Sequence, residues 1–128
     1  MIAYEKFEAW KIAHHLALVI YEASDRWPTT ERYQLTAQVR RAALSVPTNI
    51  AEGAAKRGSR EFRRYLDIAN GSLAELSYLL RFAKDQGIIN PEIFQALNEQ
   101  RDRVGKLTWG LYAALANHRR SYSSALTA

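Results

Sequence analysis

The chain has 128 residues, 48% of them apolar, so length and composition predict one domain able to bury a real core. It contains no Cys, which excludes disulfides, thiolate nucleophiles and Cys-ligated zinc or iron–sulfur centres. The formal net charge is +5, and thirteen of the eighteen basic residues are Arg, whose guanidinium suits phosphate and carboxylate recognition better than an ammonium does.

Only three Pro and six Gly, set among abundant Ala, Leu, Glu and Arg, predict an all-α protein. The first helix is expected from Tyr4 to about Arg26, with Ala9, Ala13, Leu16, Ile20, Ala23 and Trp27 on one apolar seam. Trp27-Pro28 stops it. Thr29 or Thr30 then caps a second helix that carries Leu35, Val39, Ala42, Val46 and Ile50 inward and runs to about Lys56. Pro47 falls in its middle, where it removes a backbone hydrogen bond and crowds the preceding turn. A kink between Ala43 and Pro47, or a short break, is expected.

Gly58 closes the second helix and Ser59 caps a third, with Glu61 in its first turn. Within that segment Asn70-Gly71 spells a strong hairpin signal. The apolar residues around it decide otherwise: Phe62, Leu66, Ala69, Leu73, Leu76, Leu80 and Ala83 recur at alternating spacings of four and three. A helix is therefore expected to run through the glycine to Gln86, with Gly87 as its stop. Gly71 costs such a helix about 1 kcal/mol relative to Ala, so close approach of another helix backbone, in the bundle or across subunits, is expected there. A second apolar line beside the seam, including Tyr65, Ile68, Leu79 and Phe82, exceeds what one bundle needs and is read as an oligomer interface.

Asn90-Pro91 reopens the chain as cap and first-turn proline of a fourth helix. Its seam is Ile93, Leu97, Gln100, Val104, Leu107, Leu111 and Ala114; periodicity is lost from His118, giving a bundle domain over 1–117 and a frayed tail over 118–128. Four long helices on short connections predict an antiparallel up-down-up-down four-helix bundle, its second helix kinked near Pro47.

Catalysis has little to stand on. His14 and His15 are adjacent, so on a helix they point about 100° apart and cannot share a metal. No zinc, nucleotide-loop or di-iron motif occurs, and neither enzyme activity, cofactor nor metal is expected. Glu52 and Glu75 are expected to pair with Arg40 or Arg41 as structural carboxylates. The amino-terminal stretch carries two Glu and no signal-peptide core, and no apolar run reaches membrane-spanning length, which together predict a cytoplasmic protein.

The basic residues sort by whether a carboxylate lies at helical reach. Arg26 has Glu22, Arg63 and Arg64 have Asp67, Arg81 has Asp85, Arg103 has Glu99 and Lys106 has Asp102. The stretch "KRGSREFRR" nonetheless gathers Lys56, Arg57, Arg60, Arg63 and Arg64 around a helix junction whose free N–H groups favour anions. This cluster is the candidate nucleic-acid-binding surface.

Residues 38 to 87 resemble the core of the bacterial four-helix-bundle family encoded in intervening sequences of 23S ribosomal RNA genes. The matching residues are Arg40, Arg41, Pro47, Asn49, Ile50, Ala51, Glu52 and Gly53, then Phe62, Tyr65, Leu66, Ala69, Gly71, Ser72, Glu75 and Leu76. The opening "YEKFEAWKIAHHLALVIY" is similar to the family's first helix. The resemblance implies a left-handed up-down bundle assembling as a ring-like homopentamer. It also implies kinship with accessory proteins of diversity-generating retroelements, which are basic, pentameric, and bind nucleic acid and a reverse transcriptase. The expectation is thus a non-enzymatic homo-oligomer that binds RNA or DNA through its Arg-rich junction. The alternative is a protein-interaction scaffold, such as a reverse-transcriptase accessory subunit.

Overall fold

The computed structural model describes residues 2–127, with side chains described for residues 2–117. Four helices carry the fold: α1 (Glu8–Ser24), α2 (Leu35–Ala54), α3 (Ser59–Asp85) and α4 (Pro91–Thr127), with 3₁₀ turns at Ala3–Lys6 and Thr29–Glu31. Each helix packs on its chain neighbour, and α1 also packs on α4. The four thus close into an up-down-up-down bundle around one shared core, with no strand among the described residues.

The seams of α2 and α3 lie where the apolar periodicity puts them. Leu35, Val39, Ala42, Val46 and Ile50 are buried in α2, and Phe62, Leu66, Ala69, Leu73, Leu76, Leu80 and Ala83 are buried in α3. The helix runs through Asn70-Gly71 without interruption. Its end is also as expected. Gly87 adopts φ 75, its N–H donates to Lys84 O at 2.9 Å, and the Ile88 N–H donates to Ala83 O at 2.9 Å, the paired bonds that satisfy the last carbonyls of a helix. Asn90 Oδ1 then accepts from the Ile93 N–H at 2.7 Å and caps α4.

Other expectations are corrected. The first helix is divided at Phe7, whose extended backbone (φ −92, ψ 125) separates the 3₁₀ turn from α1. That conformation goes with an edge-on contact between the Phe7 and Phe62 rings, 5.2 Å apart. Neither Thr29 nor Thr30 caps α2, which begins only at Leu35 behind Gln34. Ser59 does not cap α3, because Gly58 with φ 83 occupies that position and no side chain caps the turn. Pro47 is buried inside an unbroken α2, so the expected short break is absent.

In α4 the seam is displaced. Ile93 is 43% exposed and Ala114 is also exposed, while Thr108, outside the expected seam, is fully buried. Its hydroxyl donates to Val104 O at 2.7 Å, which satisfies a polar group that burial would otherwise penalise. The expected fraying from His118 falls on residues whose side chains lie outside those described.

Candidate functional site

The basic cluster is built where α2 gives way to α3. Lys56, Arg57, Arg60 and Arg64 are exposed and Arg63 is half-buried. The structure does not hold all five in one place. Arg60, Arg63 and Arg64 line an open groove of about 520 Å³ together with Glu61, Asp67 and Tyr112. Lys56 instead lies over the Tyr65 ring at 5.5 Å, a ring that the Arg64 guanidinium also faces at 4.9 Å. These aromatic faces hold the cations close to the protein through the ring quadrupole.

Arg64 pairs with Glu61 at 3.5 Å and not with Asp67, the partner expected one turn on. The Arg63 guanidinium stands 5.8 Å from the centre of the Tyr112 ring, and its Nε is buried without a hydrogen-bond partner among the described residues. Three guanidinium groups thus meet two carboxylates in this groove. The adjoining start of α3 leaves its first backbone N–H groups without a side-chain acceptor.

Along the same α3/α4 seam lies a second depression of about 480 Å³, lined by Asn70, Leu73, Ala74, Arg101, Asp102, Gly105, Lys106 and Trp109. Trp109 and Tyr112 sit three residues apart on α4 with their rings edge-to-face at 5.5 Å. Neither aromatic was expected at the site. Their one sequence signal is an aromatic pair at helical spacing that lies off the seam assigned to α4.

The candidate interface residues separate as well. Ile68 and Phe82 are exposed (41% and 42%) and Tyr65 is half-buried, but Leu79 is buried at 6% and belongs to the core. Tyr78, which lay outside the expected line, is exposed beside Phe82 at 6.5 Å. Gly71 is likewise corrected for the single chain: a Cβ added there meets nothing within 4 Å, whereas one added at Gly53 would meet Phe62 and Tyr65. The close approach is therefore at the end of α2 and not in the middle of α3.

Arg40 does not reach Glu52 or Glu75. Its guanidinium donates to Ser24 Oγ (2.8 Å), Tyr21 O (3.1 Å) and Asp25 (2.9 Å), tying α2 to the end of α1. Expected pairs are present at Arg81–Asp85 (3.7 Å) and Lys106–Asp102 (3.2 Å). Motif residues shared with the resembling family are largely architectural. Asn49 bonds back to Ser45, Ser45 meets Ser72 across α2 and α3 at 2.8 Å, and Ile50 is fully buried. No helix is long and apolar enough to cross a membrane among the described residues.

Residues 5–110 match the family described as 23S rRNA-intervening sequence protein. A solved structure with the same fold is a protein of unknown function from the S23 ribosomal protein family of Bacteroides thetaiotaomicron. It is 20% identical, superposes with a TM-score of 0.73, and the match covers 81% of this chain and 97% of that one. No curated protein matches the chain.

Proposed function

The chain belongs to the 23S rRNA-intervening sequence protein family, and from that premise we propose that it is a non-enzymatic, homo-oligomeric helical bundle that binds nucleic acid. The observation that carries this reading is the gathering of Arg60, Arg63 and Arg64 around one open groove beside the uncapped start of α3. Guanidinium groups and free helix N–H groups are complementary to phosphate. Phosphate contacts position a nucleic acid without reading its sequence, so the expected binding is general for RNA or single-stranded DNA.

The test is binding of the purified protein to labelled RNA across a salt series. Affinity is expected to be measurable at low salt and to fall linearly on a logarithmic scale as salt rises. Absence of binding at low salt refutes the reading.

A second reading, a scaffold for protein partners such as a reverse transcriptase, draws on the exposed Ile68, Tyr78 and Phe82. Tyr78 and Phe82 line a groove of about 510 Å³ with Gln34, Gln38 and Gln86. On the first reading the exposed Ile68 and Phe82 instead hold neighbouring copies together, in a ring that we take to be a pentamer.

A further inference from the structure

We infer that the depression between Asn70 and Trp109 receives an unstacked base of single-stranded RNA, so that the α3/α4 seam reads strandedness as well as charge. This rests on the nucleic-acid reading above and specifies the form of nucleic acid.

The slot has the parts that base capture requires. Trp109 is 57% exposed, and its edge-to-face contact with Tyr112 fixes one ring against the other. An exposed indole face offers a base a stacking surface, which tolerates any base because every base has a π-face. Beside it Gly105 leaves room, since a Cβ there meets nothing within 4 Å, and Ala74 lines the opposite helix. A larger residue at either position would occupy the space a base needs.

Asn70 supplies the polar edge. It lines the slot, and its Nδ2 is buried without a hydrogen-bond partner among the described residues. Leaving such a donor unpaired is costly; a turn of the carboxamide out of its buried position pairs it with a base edge, whose adjacent donor and acceptor atoms a carboxamide matches. Arg101 and Lys106 flank the slot, with Asp102 held by Lys106 at 3.2 Å.

Placement joins the slot to the basic groove. Arg63, Asp67, Asn70 and Ala74 follow one another at four, three and four residues along α3, and Tyr112 and Trp109 follow along α4. From Arg63 to Asn70 the helix rises about 10 Å. A short single strand with its phosphates on Arg60, Arg63 and Arg64 can therefore turn a base into the slot. A duplex cannot, because its bases are paired and stacked.

The experiment compares single-stranded oligoadenylate with an RNA duplex of equal length, using the parent protein, Trp109→Ala and Gly105→Leu. Both variants are expected to lose about tenfold in affinity for the single strand, to keep the parent's salt slope, and to bind duplex as the parent does. Gly105→Leu should be at least as stable as the parent in denaturant, which separates loss of the slot from loss of the fold. Unchanged single-strand affinity in both variants, or equal losses on strand and duplex, overturns the base slot while leaving the nucleic-acid reading intact. A changed solution mass for Gly105→Leu also overturns it, by assigning the seam to a second copy. A parent that binds neither RNA defeats both readings.

Discussion

Gly53 and Phe62 face each other across the turn between α2 and α3, so closely that a Cβ on Gly53 would stand 2.8 Å from Phe62 Cδ1 and 2.8 Å from Tyr65 Cβ. The neighbour at Tyr65 is the root of its side chain and cannot swing away. Overpacking of this kind costs about 1–3 kcal/mol, against a helix-propensity gain of up to about 1 kcal/mol for replacing glycine. Gly53→Ala is therefore expected to destabilise the protein in a denaturant titration. Gly71→Ala, made into open space, is expected to stabilise it by up to about 1 kcal/mol. The same sign for both substitutions contradicts this assignment of the close approach.

The basic groove makes a prediction about salt. Replacing Arg60, Arg63 and Arg64 together by Ala should flatten the dependence of RNA affinity on salt, because each lost phosphate contact lowers the slope by about one. Replacing Lys11, Arg81 and Arg103 removes the same charge from elsewhere on the surface and should leave the slope nearly unchanged. Equal flattening by both sets would mean diffuse attraction without a site.

Burial separates the apolar residues on α3 into two roles. Ile68→Glu combined with Phe82→Glu places charge on exposed positions, and light scattering is expected to show a smaller assembly with the fold retained. Leu79→Ala should act differently, because that side chain is in the core: a loss of about 2–5 kcal/mol is expected. A parent protein that is monomeric at micromolar concentration rules out the interface.

Arg40 allows a graded test. Asp25 is largely exposed, at 80% of its side chain, so Asp25→Ala should cost at most about 1 kcal/mol. Arg40→Ala also removes the bonds to Ser24 Oγ and Tyr21 O, and a loss of about 1–3 kcal/mol is expected. Denaturant midpoints measure both, and an equal cost for the two would mean that the carboxylate alone matters.

What could be read from the chain was whatever repeats locally. The seams of α2 and α3 were legible because each apolar position lies one helical turn from the next, and Gly87 and Asn90 because helix ends have their own local chemistry. The seam of α4 was misplaced because a threonine, polar by type, is carried into the core by a hydrogen bond to its own helix. The site divided in the same way. The Arg-rich stretch is contiguous and could be found by inspection, but its partner Tyr112 lies on another helix and is brought to Arg63 only by the fold. Gly71 and Gly53 look alike as helical glycines, and only the neighbouring helix distinguishes them.

The cyclic order of contacts, in which α1 meets α2, α2 meets α3, α3 meets α4 and α4 returns to α1, bears on how the molecule assembles in time. Three of the four seams join neighbours across short connections, so little loop entropy opposes them, and chains rich in such local contacts fold quickly. The α1–α4 seam alone must close nearly the whole chain. Its contacts are expected to form after the transition state, so substitutions that loosen this seam alone should accelerate unfolding more than they slow folding.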